Sequence, residues 1–187
     1  MCIRDSYIDK RWIYEESLRM PFLVRYPKRF KPAVNEDIVN NVDFAPTLLE
    51  LAGVTDMPES FQGRSIVANL EGETPDDWRQ ETYYRYWMHM AHHDNPAHYG
   101  IRTKEHKLIF FYGLGLDAAG AKPDATKPHW ELYDLKEDPH EQNNVYQDAS
   151  YQDVVADLKK RLLALKEHVG DQDENYPELM KVRERVW

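Results

Sequence analysis

The chain has 187 residues, with 24 Lys+Arg against 33 Asp+Glu and a formal net charge of -9. That balance excludes a nucleic-acid backbone or an anionic membrane surface as the main partner, because both select net positive charge. Aromatic residues make up 12% of the chain, enough to build a core, and the longest uncharged apolar runs, such as Leu108–Tyr112, fall far short of a membrane span. The lone Cys2 excludes an internal disulfide framework and a zinc site built on cysteine pairs.

Met1–Ser6 is charged and lacks the apolar centre of a signal peptide; it reads as a non-native scar on a chain that begins in mid-protein. Pro21-Phe22-Leu23-Val24 is a short apolar run opened by proline and predicts a buried strand. A basic loop broken by Pro27 and Pro32 follows. Asp43 as a cap, Pro46 in a first turn, the apolar Leu48, Leu49 and Ala52, and the stop at Gly53 predict a helix. Ser65–Leu70 predicts a short helical turn, and the polar, aperiodic Glu71–Asp77 is the candidate boundary. Beyond it, strands are expected over Glu81–Trp87, Tyr99–Thr103, Lys107–Tyr112 and Trp130–Leu135, with Gly113–Pro128 as a loop. Val154, Leu158, Leu162, Leu165 and Val169 form one apolar stripe and predict a helix over Asp153–Val169, ended by Gly170. The charged tail Asp171–Trp187 receives no element, and no internal repeat is present.

Eight histidines occur, four of them (His89, His92, His93 and His98) within ten positions. Imidazoles so spaced suit zinc or copper, a sugar- or anion-binding loop, or simple hydrogen bonding to solvent; no H-E-x-x-H or Cys/His spacing accompanies them. Lys10 with Arg11 and Arg19 can clamp a sulfate or phosphate, or serve as surface charge paired with Glu15 and Glu16. Asp134, Glu137 and Asp138 before Pro139 read as turn chemistry. No nucleophile elbow, phosphate-binding loop or dinucleotide fingerprint is present. From residue chemistry alone this is an acidic α/β chain in which an anion or glycan site is one reading and surface charge with solvent-facing histidines the other.

Three stretches taken in order go further. Lys10–Pro27, KRWIYEESLRMPFLVRYP, resembles the segment of type I sulfatases in which a lysine precedes Tyr-Glu, an arginine and a proline-led strand. Asn41–Gly53, NVDFAPTLLELAG, followed by Pro58 and Gln62-Gly63-Arg64-Ser65, is similar to that family's D-x-x-P-T-L-x-x-x-A-G…P…Q-G-x-S signature. Trp130–Tyr146, WELYDLKEDPHEQNNVY, resembles its E-L-Y-D-L-x-x-D-P-x-E-x-x-N.

The resemblance implies the terminal portion of an alkaline-phosphatase-like α/β domain over residues 7–75, then a small antiparallel sheet packed with a C-terminal helix over 76–170, and a charged tail over 171–187. It implies hydrolysis of sulfate esters of a sulfated carbohydrate or an aryl sulfate. The complete enzyme is expected to use a formylglycine nucleophile, made from a C/S-x-P-S-R motif, and a calcium ion on oxygen ligands. Cys2 stands in Cys-Ile-Arg-Asp-Ser, which is not that motif, and the acidic metal ligands would lie upstream of Lys10. No cofactor or metal ligand is therefore expected within this chain, which should be inactive alone. Lys10 is the position that matches the family's active site, as the lysine contacting the sulfate near the leaving group. His92, His93, His98 and Arg102 lie where sulfatases vary with substrate and are the candidates for glycan recognition; Gly100 and Arg102 have a structural alternative, with Arg102 paired to an acid. Family members are periplasmic, lysosomal or secreted. The competing readings are a related phosphoric or phosphonate ester hydrolase of the same superfamily, or a free-standing glycan-binding module.

Overall fold

The computed structural model describes residues 11–54, 56–91 and 93–187. These residues form two units: Phe22–Thr82 is one, and the described residues up to Pro21 join Tyr83–Trp187 in the other. The first unit is thus an insertion in the sequence of the second.

In the second unit, helix α1 (Glu15–Leu18) precedes four strands, β1 (Glu81–Tyr86), β2 (His98–Thr103), β3 (His106–Phe111) and β4 (His129–Asp134), in the spatial order β1-β2-β3-β4. β2 and β3 pair antiparallel with Gly100 opposite Ile109, and β3 and β4 pair antiparallel with Leu108 opposite Leu132. Strand alternation divides the side chains between two faces. Tyr99, Ile101, Leu108, Phe110, Trp130 and Leu132 share a core with the long helix α4 (Gln152–His168) and the terminal helix α5 (Pro177–Val186). On the opposite face Ile109, Phe111 and Tyr133 form a smaller core with Ile13. The third signature is structural here. Asn144 accepts from the Leu132 and Tyr146 amides, each at 3.0 Å, and donates to the Trp130 carbonyl at 3.1 Å, binding its loop to β4.

The expected stripe on α4 is turned slightly: Val155, Leu158 and Leu162 are buried, whereas Val169 is 37% exposed beyond the helix end. The tail, given no element by its charge, carries α5. Pro177 opens that helix, and its buried Leu179 and Val182 join the core, so two apolar positions on one face outweigh a charged composition.

The Phe22–Thr82 unit contains a 3-10 turn (Asn41–Asp43), α2 (Phe44–Leu51) and α3 (Val67–Glu71). Asp43 does not cap α2. Its fully buried carboxylate accepts from the Asn40 amide at 2.8 Å, the Arg64 amide at 2.9 Å and the Arg79 guanidinium. Thr47 donates to the Asp43 carbonyl at 2.6 Å and accepts from the Ile66 amide at 3.0 Å. A Cβ at Gly63 would lie 2.0 Å from the Val42 carbonyl oxygen, so only glycine lets the two loops meet. The second signature is thus a lock between α2 and the Gln62–Ser65 loop. Pro21–Val24, expected as a buried strand, is not one: Leu23 is 94% exposed, and no strand among the described residues pairs with it.

Candidate functional site

The candidate site is the face of the second unit's sheet over which Arg11–Leu18 lies. The absence of a side chain at Gly100 lets that segment approach, since a Cβ there would meet Ile13 Cδ1 at 2.8 Å and the Leu108 carbonyl oxygen at 2.5 Å. The Tyr84 hydroxyl donates to the Arg11 carbonyl at 2.8 Å. Trp12 stacks on His98 with ring centroids 5.7 Å apart, and the Tyr14 hydroxyl donates to Glu131 Oε2 at 2.7 Å. Lys10 itself lies outside the described residues, but the residues that follow it are fixed to the sheet at four successive positions.

Below them is a buried ion cluster. Glu15 meets Arg102 Nη2 at 3.0 Å and Lys107 Nζ at 2.8 Å, and Lys107 reaches Glu141 at 2.7 Å with no exposed surface of its own. The Glu15 amide donates to the second Glu141 oxygen at 2.6 Å. Two cations balance two carboxylates. Burial opposes ionisation of Glu15, yet the Arg102 hydrogen bond and the Lys107 charge hold its carboxyl down to about 2. Burial dominates at Glu141 and pushes it up.

His98 belongs to the aromatic wall of the same face, among Trp12, Tyr84, Tyr86 and Phe111. Its Nδ1 lies 2.8 Å from the Pro96 carbonyl, so Nδ1 carries the proton. Burial lowers its pKa to about 4, against the opposing Pro96 hydrogen bond and Glu131 charge, so the ring is neutral at neutral pH. Arg102 lies on the same face of β2 and is paired with Glu15. His93 sits elsewhere, exposed at the tip of the preceding loop with φ 58° beside Asp94 at φ 50°. His92 lies outside the described residues. His89, noted only as a cluster member, is buried and braces this loop: its Nδ1 accepts from the Ala97 amide at 3.0 Å, and Nε2 donates to the Asp124 carbonyl at 2.9 Å.

Sequence reasoning missed Lys107 and held Glu141 only as a letter of the third signature. The available signal was a lysine at an alternate position of the otherwise apolar Lys107–Tyr112 run, where alternation turns it inward. Among the described residues no group of three or more His, Cys, Asp or Glu side chains can hold a metal. The described residues supply no set of oxygen ligands that fits the calcium ion the resemblance implies for the complete enzyme.

Residues 4–168 match the family model described as N-sulphoglucosamine sulphohydrolase, C-terminal. The chain belongs to this sulfatase family. It is 41% identical over 171 residues to an N-acetylglucosamine-6-O-sulfatase of Bacteroides thetaiotaomicron, covering 90% of this chain and 28% of that protein. An endo-4-O-sulfatase of the same organism is 26% identical over 191 residues, covering 91% and 34% of the two chains. A solved structure of a protein in complex with its substrate D-glucosamine-2-N,6-O-disulfate superposes with a TM-score of 0.78 at 41% identity, covering 90% of this chain and 32% of that one. This sulfatase-family chain therefore spans about a third or less of the relatives it matches, and it corresponds to their C-terminal part.

Proposed function

We propose that this chain is the C-terminal part of a sulfatase that removes sulfate from an amino-sugar residue of a glycan. The observation that carries the reading is the 41% identity over 90% of the chain to an N-acetylglucosamine-6-O-sulfatase. The site geometry supports it. Arg11, Trp12, Ile13 and Tyr14 are each held to the sheet, and Lys10, which precedes them in sequence, is proposed to neutralise charge at the sulfate. A charge pre-aimed at the oxyanion stabilises the transition state without reorganisation. His92 and His93 on the loop after β1 are proposed to meet the glycan, while His98 and Arg102 support Arg11–Leu18 from below. The formylglycine and the calcium ion are assigned to the region of the relatives that this chain does not cover.

The test is a full-length protein carrying an upstream sulfatase region, assayed on glucosamine 6-sulfate. Lys10→Ala should lower turnover by roughly 10²–10³ while leaving the thermal midpoint unchanged. His93→Ala should raise KM with a smaller fall in kcat. Near wild-type turnover in Lys10→Ala would remove the lysine assignment. A full-length protein that cleaves an aryl phosphate or phosphonate and spares every sulfate ester would overturn the sulfatase reading.

A further inference from the structure

The loop after β1, which carries His93, is tied through His89 to the loop between β3 and β4. The His89 imidazole is fully buried. Its Nδ1 accepts from the Ala97 amide at 3.0 Å within its own loop, and its Nε2 reaches across to the Asp124 carbonyl at 2.9 Å. An amide only donates and a carbonyl only accepts, so both ring nitrogens are satisfied and one tautomer is fixed. The His89 carbonyl also accepts from the Lys122 amide at 2.8 Å. Two further contacts flank this pin. The Gly113 amide donates to the Ala97 carbonyl at 3.2 Å, which extends the pairing of His98 with Phe111 by one residue. At the tip Lys122 meets Asp94 at 3.0 Å, an exposed pair that contributes little.

The tip does not hold its shape unaided. Met90, His93 and Asp94 have φ of 53°, 58° and 50°, the left-handed region that residues with a Cβ rarely adopt. Such residues persist only where their surroundings over-determine them, and they gather at binding sites. Met90 follows the pin directly, and its amide donates to the Asn95 carbonyl at 2.8 Å, which closes the loop on itself. Trp12 packs on His98 and Phe111, so the strained loop and Trp12 share one end of the sheet.

We propose that His89 is a positioning residue for glycan recognition. By bonding the Asp124 carbonyl it holds the loop in the strained form that presents His93, and so removes the cost of ordering that loop when the sugar binds. The inference rests on the sulfatase reading and on the glycan role given there to His93, and it adds the residue that preorganises that contact.

The test uses the full-length protein carrying an upstream sulfatase region, with KM and kcat measured on glucosamine 6-sulfate. Asparagine places an acceptor near the Nδ1 position but does not reach Asp124, whereas glutamine places a donor near Nε2. His89→Asn should raise KM about five- to tenfold, the scale of one lost hydrogen bond, with a smaller change in kcat. His89→Gln should restore most of the affinity. In a His93→Ala background His89→Asn should add less than about twofold, because the pin acts through His93. Lys122→Pro removes, at an exposed position, the amide that holds the His89 carbonyl. It should raise KM in the same way, and it keeps the test decisive if the His89 variants do not fold. A merely structural role would lower the folded fraction, and so kcat, while leaving KM unmoved. With His93→Ala raising KM, the proposal alone is overturned by an unmoved KM in His89→Asn and Lys122→Pro, by glutamine doing no better than asparagine, or by His89→Asn and His93→Ala effects that multiply. An unmoved KM in His93→Ala removes the glycan role of His93 and the pin with it, and a full-length protein that spares every sulfate ester overturns the sulfatase reading as well.

Discussion

Lys107 shows what a buried charge does to a single position. It is enclosed between Glu15 and Glu141, and removing one member of such a group leaves an uncompensated charge behind. Lys107→Ala is expected to lower stability by about 3–5 kcal/mol in chemical denaturation, while the double change Lys107→Met with Glu141→Leu should recover much of that loss. His98 contributes a pH dependence of definite sign. Its folded pKa of about 4 lies below the ordinary 6.5, so its stabilisation is complete above 6.5 and is lost as pH falls toward 4. Glu15 extends the loss at lower pH, from about 4.5 down to about 2, and Glu141, shifted upward, acts in the opposite direction. The thermal midpoint should therefore fall between pH 6.5 and 4, and His98→Phe should flatten that part of the profile. A slope unchanged by His98→Phe would assign the titration to other groups.

Among the elements, those with a strong local pattern were legible. All four strands and the long helix stand within a residue or two of where alternation and the apolar stripe place them, because those patterns coincide with the faces that are buried. Two segments were not legible. Pro21–Val24 has the composition of a buried strand, but a strand needs a neighbour, and local composition does not supply one. The Asp171–Trp187 tail looked featureless because its charges mask Leu179 and Val182, whose burial depends on a core built from distant strands. The site was legible in the same partial way. Loop position marks His98 and Arg102, and pairing of Arg102 to an acid is one of the readings open in the sequence; that the acid is Glu15, and the aromatic setting of His98, come from strand pairing and from a segment far upstream in sequence. Gly100 tests how tightly that upstream segment is seated. Gly100→Ala places a methyl group against Ile13 and the Leu108 carbonyl, and should destabilise by about 1–3 kcal/mol, with the fluorescence of Trp12 altered as its stack on His98 opens.

For the whole molecule, the Phe22–Thr82 unit bears exposed apolar side chains that include Leu23 at 94%, Val34 at 91% and Leu48 at 66%, and Phe22 and Phe44 stack with centroids 4.7 Å apart. A surface of that kind in a chain covering 28% of a relative's length fits one made to be covered by more protein. The isolated chain should bind a hydrophobic dye and self-associate in sedimentation at micromolar concentration. A monomer with a sharp melt and no dye binding would contradict this. The isolated chain should also show no turnover of aryl sulfates above a mock preparation, and activity abolished by a mutation within these 187 residues would refute that expectation.

The hydrogen bond from the Glu15 amide to Glu141 joins residues 126 apart in sequence. During synthesis, Arg11–Leu18 leaves the ribosome long before its partners exist, and it cannot dock until β4 and the loop after it have been made. Closure of so long a span comes late in folding, after the entropy of the intervening chain has been spent. Glu15 and Glu141 therefore act as a final latch, so that loosening it with Glu141→Gln should hasten unfolding while leaving the refolding rate almost untouched. Arg11–Leu18 would then be the last part of this unit to be set in place, and a nascent chain would have its sheet before the segment that lies across it.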